Sequence, residues 1–476
     1  MTIEKLRMTS SDLTQANIDK LADLFPSVVT ESIGADGTPA RAIDFDLLRQ
    51  ELSDHIVEGP QERYQLDWPG KRAAAFAANA PIAKTLRPVR EESVDFDTTR
   101  NLFIEGDNLE ALKLLQESYL GKVKLIYIDP PYNTGNDFVY EDDFAQSSAE
   151  YLERSGQQTE TGDRLVANTE ANGRFHSDWL SMMYPRLKLA RNLLADDGLI
   201  FISIDDHELH NLRTICSEVF GQSNFVGIIT RATGTPTGGG FDGFTNMVDY
   251  VLVYRRSDRA TINGLEFGDN DAAIYNEQDA RGRYLTRSLR RTGGEDRRED
   301  RPTMYFPVEA PDGSSVYPVG PGGYESRWIC GRERFDEMSR DGLIQWKRVQ
   351  RPEGETWHPF QKFYLEGRDK RPSNLWTDLE GNKKATRELR DLFDGEKVFD
   401  SPKPTALVER IIEVATDRDS LVLDFFAGSG TTAEAVLRLN ARDNGARSYI
   451  LVQLPDPVPT NSGAARFGFN VLSEVS

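Results

Sequence analysis

The sequence predicts an α/β protein: a mostly parallel, doubly wound sheet whose strands arrive out of chain order, preceded by a helical region and interrupted by an inserted domain. Three observations carry this. Strand and helix patterns alternate from Asn101 to Tyr254, stop, and resume from Ala406 to Leu454. One strand of the first stretch ends in Asp129-Pro130-Pro131-Tyr132-Asn133, and one of the second breaks into the glycine turn Asp424-Phe425-Phe426-Ala427-Gly428-Ser429-Gly430-Thr431. Neither stretch completes a sheet alone, and the later one supplies the two strands that belong before the strand at Leu102.

Taken in order, residues 1–95 read as a helical N-terminal region. Leu13 to Phe25 and Phe45 to Ile56 carry apolar residues at three- and four-residue spacing, with a turn at Gly34 to Thr38. Residues 96–255 hold the first alternating half. Leu102–Ile104 is a strand, Leu109–Leu120 a helix and Val123–Ile128 a strand whose carboxyl end is Asp129. The polar stretch Glu141 to Gly173 reads as a mobile loop. Trp179–Leu194 is an amphipathic helix, Leu199–Ile204 a strand, Leu209–Phe220 a helix, and Val226–Thr230 and Val248–Tyr254 are strands around a glycine-rich loop from Gly234 to Gly240. Residues 256–395 lose the alternation, gain Arg, Gly, Pro and aromatics, and read as an inserted domain. Residues 396–476 form the second half: helix Ala406–Thr416, strand Leu421–Phe426, helix Thr431–Leu439 and strand Tyr449–Leu454. This cut makes the glycine turn and Asp129 neighbours at the point where strand order reverses, and ligands of such sheets bind beyond the strands' carboxyl ends.

Composition narrows the class. Of 476 residues, 38% are hydrophobic and 28% charged, as in a globular chain, and no apolar run approaches the ~20 residues of a membrane span. The polar start lacks a secretion signal, so a cytoplasmic protein is expected. Two cysteines and five histidines suit neither a disulfide framework nor a metal cluster. His207 and His210 lack a third ligand in frame, and no metal site is expected. A net charge of −20 disfavours indiscriminate nucleic-acid coating but not a local basic surface. Basic residues do cluster from Arg281 to Arg301. Arg283, Arg287, Arg290 and Arg291 are the candidates for contacts to nucleic acid, with a solvated charged loop as the alternative.

The two strand ends suggest a chemistry. Asp129 and the Pro130 carbonyl, held by the ring-locked backbone of Pro130 and Pro131, are placed to accept hydrogen bonds from an exocyclic amine, while Tyr132 offers a ring to the face of a planar base. Such an amine is a poor nucleophile because its lone pair is delocalised, and two acceptors would localise the pair. The glycine turn before a helix suits a nucleoside cofactor, although dinucleotide enzymes use similar turns.

Together these motifs resemble those of an amino-methylating DNA methyltransferase of the beta class, in which Asp-Pro-Pro-Tyr precedes the glycine turn. Asn101–Asn108, Ile128–Gly135, Trp179–Arg186, Phe201–Asp206, Ala427–Thr432 and Ala42–Arg49 are further similar to the modification (Mod) subunit of a type III restriction-modification system. The resemblance implies a circularly permuted Rossmann-like S-adenosylmethionine-dependent methyltransferase fold, with residues 256–395 as the target-recognition domain. It implies Asp129, Pro130, Pro131 and Tyr132 as catalytic residues. For S-adenosylmethionine it implies Asp107, Phe399, Lys403, Thr405, Asp424, Phe426, Gly428, Gly430 and Thr431. The acid before the prolines implies N6 of a flipped-out adenine in double-stranded DNA. A homodimer and an optional helicase-nuclease restriction subunit are also implied. One position departs from the pattern: the second cofactor strand ends at Gln453, where an acid usually holds the ribose, and Asp456 is the nearest substitute. Family members carry a substantial segment after this strand, where the present sequence ends at Ser476. The alternatives are N4-cytosine methylation by the same site, or a catalytically impaired DNA-specificity subunit.

Overall fold

In the computed structural model, which describes residues 14–33, 39–52, 66–134, 138–139, 166–167, 175–234, 244–351 and 354–476, the N-terminal stretch is not helical throughout. Helix α1 (Thr14–Leu24) is followed by strands β1 (Val29–Ile33) and β2 (Pro39–Ile43), which pair antiparallel, then α2 (Phe45–Glu51) and α3 (Lys71–Asn79). Val29 and Thr30 are β-branched, and their stiff side chains favour the pleated backbone over a helix. The Asp44 carboxylate caps α2 by accepting the Asp46 and Leu47 N–H groups at 2.9 and 3.0 Å. The expected continuation of this helix to Ile56 and the turn at 34–38 fall outside the described residues, as does the loop from 235 to 240. Of the polar stretch 141–173 only Val166–Ala167 is described, paired antiparallel with Phe138–Val139.

The first alternating half follows: β3 (Leu102–Glu105), α4 (Asn108–Tyr119), β4 (Val123–Ile128), α5 (Phe175–Leu193), β5 (Leu194–Ile204), α6 (Leu209–Phe220), β6 (Phe225–Ala232) and β7 (Val248–Arg255). Just before α3, the Trp68 indole donates to Ser181 Oγ on α5 at 3.0 Å. Gly70 stands between them with φ +106°, and a Cβ there would come within 2.9 Å of the same oxygen. Only glycine serves this approach.

Gly264–Arg371 form a compact unit of their own. Its sheet has the antiparallel order β8-β9-β11-β10, from β8 (Glu277–Asp279), β9 (Gly282–Ser288), β10 (Ile344–Arg351) and β11 (Gly354–Tyr364), with helix α7 (Arg332–Arg340). Leu289, Val308, Trp328, Phe335 and Met338 are its buried core.

Met1–Asn263 and Pro372–Ser476 make the other unit. After the insert come β12 (Leu375–Trp376), α8 (Asn382–Leu392), α9 (Thr405–Ala415), β13 (Leu421–Asp424), α10 (Thr431–Asp443) and β14 (Ser448–Gln453). Residues 372–395, which the sequence pattern groups with the insert, thus add an edge strand to the large sheet. Among the described residues that sheet has eight strands in the order β12-β6-β7-β5-β4-β13-β14-β3. Only β7 runs antiparallel to its neighbours. Val123 and Leu125 to Ile128 of β4 are buried, as expected of a central parallel strand covered on both faces. Leu423 of β13 pairs with Ile126 of β4, so the two halves of the chain meet at the centre of the sheet.

Candidate active site

Because β4 and β13 are directly paired and parallel, Asp129 and the turn after Asp424 emerge side by side from the sheet. Lys403, just before α9, reaches across to Asp129: its Nζ lies 2.8 Å from the carboxylate and 4.6 Å from the centre of the Tyr132 ring. The Tyr132 hydroxyl is buried and has no hydrogen-bond partner among the described residues. Burial and then the Asp129 charge push its ionisation well above the ordinary tyrosine range.

The tetrapeptide from Asp129 to Tyr132 is held from below. Trp179 of α5 donates its indole N–H to the Pro131 carbonyl at 2.7 Å. Asn133 takes the left-handed conformation, φ +62°, which asparagine tolerates better than most residues. Its amide donates to the buried Glu208 carboxylate at 2.6 Å. Glu208 also pairs with His176 Nδ1 at 2.6 Å and accepts from Asn211 at 2.7 Å. Two turns after Trp179 on the same helix, Arg186 is fully buried. It donates to Asn108 Oδ1 at 2.5 Å and to the Met182 carbonyl at 2.7 Å, and it lies 3.4 Å from Asp107. Asn108 in turn donates to the Phe425 carbonyl at 2.8 Å, tying the start of α4 to the glycine turn. Trp179, Arg186, Asn108, Asn133 and Glu208 have no assigned role in the sequence reading. The signal for the first two was their seven-residue spacing, which puts them on one helix face.

Around the turn, Gly428 and Gly430 have φ +58° and +73°, and a Cβ on Gly428 would come within 3.3 Å of the Phe399 ring. Asp424 is buried and inward-facing: its carboxylate accepts from the Phe426 N–H at 3.0 Å and the Thr432 hydroxyl at 2.5 Å. Burial, with the Asp129 charge adding to it, pushes the Asp424 carboxyl up to about 7. Thr405 donates to Glu434 at 3.0 Å, and Thr431 lies 3.1 Å from Ser429 and donates to the Lys403 carbonyl at 3.4 Å. Asp107 caps α4 through the Glu110 N–H at 3.0 Å. Gln453 uses its side-chain carbonyl to accept the Gly428 N–H at 2.8 Å, so it shapes the turn. Asp456 follows it, part-buried, its carboxyl pushed up to about 6 by burial. Ser473 donates to Glu105 at 2.6 Å, and Ser476 donates to the Gly428 carbonyl.

In the inserted unit, Arg283 spends its guanidinium on the Tyr275 and Ala272 carbonyls at 3.1 and 2.8 Å. Arg290 is turned toward Asp296 at 3.4 Å. Arg287 and Arg291 are exposed, Arg287 lying over the Phe363 ring at 5.8 Å. Asp205, Asp206 and His207 bring three possible metal-ligand atoms within 4.8 Å of one another, with His207 bonded to Asp205 at 2.8 Å. No helix among the described residues is long and apolar enough to cross a membrane.

Residues 123–454, which run from β4 through the whole of β14, match the DNA methylase family of N6- and N4-methyltransferases. The chain belongs to the DNA methylase family. Among its relatives, the EcoPI Mod subunit of the type III restriction-modification enzyme of Escherichia phage P1 is 35% identical over 88% of this chain and 68% of that one. The type II methyltransferase M.KpnI of Klebsiella pneumoniae is 32% identical over 80% and 87%. The present chain therefore spans about two thirds of the length of the type III relative. The solved complex of M1.HpyAVI with SAM aligns over 74% of this DNA methylase and 93% of that chain, with 13% identity and a TM-score of 0.33. The family and the permuted, mostly parallel sheet are those expected from the sequence.

Proposed function

We propose that this DNA methylase transfers the methyl group of S-adenosylmethionine to N6 of an adenine flipped out of double-stranded DNA, within a sequence set by the inserted unit. The observation that carries this is the pairing of β4 with β13, which sets Asp129 beside the glycine turn at the carboxyl ends of the two central strands. Gly428 and Gly430 hold a left-handed turn without side chains, packed against Phe399 and the Ser476 backbone, and such a turn fits the methionine part of the cofactor beside Phe399 and Phe426. Asp107, Thr405, Thr431 and Asp424 shape the surrounding walls, and Asp456 is the acid nearest the position for the ribose. Bound there, the cofactor supplies an electrophilic methyl group.

The chain's own residues prepare the amine. Asp129 accepts one N6–H and the Pro130 carbonyl the other, because the Pro131 carbonyl is already engaged by Trp179. Holding both N–H bonds draws the lone pair out of conjugation. Tyr132 receives the base on its ring, and stacking of this kind is worth roughly 1–3 kcal/mol, offsetting part of the cost of extrusion. Lys403 keeps Asp129 oriented and covers the same ring face, so an entering base takes the place of its ammonium over Tyr132.

The type III relative is named as one subunit of a restriction-modification enzyme. On that likeness we assign this chain the modification role, as a cytoplasmic homodimer working with a helicase-nuclease restriction subunit. Of the four candidate arginines, the exposed Arg287 and Arg291 are assigned to track phosphates, while Arg283, exposed but with its guanidinium bonded to two backbone carbonyls, and the half-buried Arg290 brace the unit.

Single-molecule sequencing of DNA from a methylation-free host expressing this chain or its Asp129→Ala variant tests the reading. A recurrent N6-methyladenine motif with the former alone is expected. N4-methylcytosine in its place would move the substrate to cytosine, and DNA binding without modification would leave a specificity subunit.

A further inference from the structure

Helix α8 runs along the edge of the large sheet from which Asp129 emerges. β6 is parallel to β4, so its carboxyl end lies at that edge. There the Asn382 N–H at the start of α8 donates to the Thr233 carbonyl at 3.1 Å, and Asn382 Oδ1 accepts from the buried Arg231 at 2.7 Å. Toward the other end, Leu389 and Phe393 pack with Phe399 on one apolar cluster, and the Phe399 ring lies 3.3 Å from where a Cβ on Gly428 would stand. From β6 to β13 the sheet order counts four strand spacings, about 19 Å. The 11 residues of α8 rise about 16 Å, so the helix spans the part of the edge that holds the proposed active site.

The two faces of α8 differ. Ala385 is buried and Leu389 packs inward, whereas Lys383, Arg387 and Arg390 are exposed at positions i, i+4 and i+7, on one stripe. Among the described residues none of these three cations has a carboxylate within ion-pair distance, Asp391 on the flank of the stripe included. Lys384, off the stripe, is instead engaged by Glu380 and by Glu388 at 3.6 Å. Three unpaired cations in a row stand out on a chain of net charge −20. They take up about 10 Å along the helix axis, the axial length of about three phosphates of one DNA strand. A flipped base reaches Asp129 when the duplex comes to this edge, and that approach brings its backbone against α8. The location therefore favours nucleic acid over an acidic protein as the partner of these charges.

We propose that Lys383, Arg387 and Arg390 form a phosphate-tracking face for the DNA backbone beside the flipped adenine, separate from the inserted unit. Its orientation toward Asp129 rests on the methyltransferase reading above, whereas its test reads binding alone. Fluorescence anisotropy of a labelled duplex is measured across salt concentrations for the full chain, the three single alanine variants, the triple variant and Lys384→Ala. Each of Lys383→Ala, Arg387→Ala and Arg390→Ala is expected to lower the logarithmic salt slope by about 0.9, and the triple variant by about 2.7, while Lys384→Ala leaves it unchanged. The methylated motif stays the same in all of them, because phosphate contacts carry no sequence information. A triple variant with the wild-type slope overturns the proposal and leaves the stripe a solvated face. An equal fall with Lys384→Ala also overturns it, since net charge rather than contact would then set the slope. A chain that shows the expected slopes yet methylates nothing sinks the methyltransferase reading and keeps the face as a DNA contact.

Discussion

Lys403 is ion-paired with Asp129 at 2.8 Å although the two lie in opposite halves of the chain. The lysine is 10% exposed and the carboxylate 25%, so the pair is shielded enough to set geometry. Charge-assisted hydrogen bonds of this kind are worth about 1.5–3 kcal/mol. Lys403→Met is expected to lower kcat about ten- to a hundredfold, with Lys403→Arg retaining more. Affinity for unmethylated duplex should stay within about threefold, because neither group is in the inserted unit. Equal loss in both variants, measured by labelled methyl transfer, would remove Lys403 from the positioning of Asp129.

Asp129→Ala removes one of the two proposed acceptors. Loss of one preorganised group of this type costs about 10²–10³ in rate. Turnover should fall at least that far while the thermal transition stays close to wild type. A variant retaining more than a tenth of the activity would show that the carboxylate is not the acceptor.

Asp424 makes stability depend on pH. Its folded-state value of about 7 lies above the ordinary 3.8, so the folded chain binds a proton that the unfolded chain has released between those limits. This contribution is therefore largest below about pH 4 and is lost as pH rises through 7, a change of roughly 4 kcal/mol. Asp424→Asn should flatten that slope. Urea titrations at pH 5 and pH 8 measure it, and an unaltered slope in the variant would assign the proton elsewhere.

Trp179→Phe leaves the Pro131 carbonyl without its indole donor. The expected consequence is a kcat reduced about tenfold with cofactor affinity unchanged, since the Trp179 indole bonds the Pro131 carbonyl of the proposed catalytic loop. Isothermal titration with S-adenosylmethionine, beside turnover measurements, distinguishes this from general disruption.

Arg287→Ala and Arg291→Ala should each reduce the salt dependence of DNA binding by about one phosphate contact, roughly 0.9 in the logarithmic slope. Arg283→Ala should instead lower the unfolding temperature of the inserted unit with the slope unchanged, because its guanidinium holds two backbone carbonyls. Anisotropy titrations across salt concentrations separate the two behaviours.

The features legible in the sequence were those written in backbone chemistry. Asp129 ends an apolar run and Gly428 and Gly430 break another, so the strand ends could be read from local pattern, and the order of the two motifs fixed the permutation. Side-chain partners were not legible, because they depend on which elements tertiary packing brings together. Lys403 resembles a cofactor-motif residue yet bonds Asp129. Gln453 stands where a ribose acid is expected yet holds the Gly428 N–H. Arg283 belongs to a basic run yet serves backbone carbonyls of its own unit. The hairpin of β1 and β2 was hidden for another reason: five-residue strands beside amphipathic helices leave too short an alternation to read.

Strands β13 and β14 lie between β4 and β3 in the finished sheet. A nascent chain that has not reached Leu421 therefore carries a sheet with a gap at its centre. β3 has no hydrogen-bonded neighbour until Gln453 has been made, and the buried faces of β4 and α4 wait exposed behind the ribosome. Such late, long-range closure is slow and open to aggregation. Protein synthesis thus delays the appearance of methylating capacity until Gln453 has been made, and expression should depend strongly on chaperones and on growth temperature.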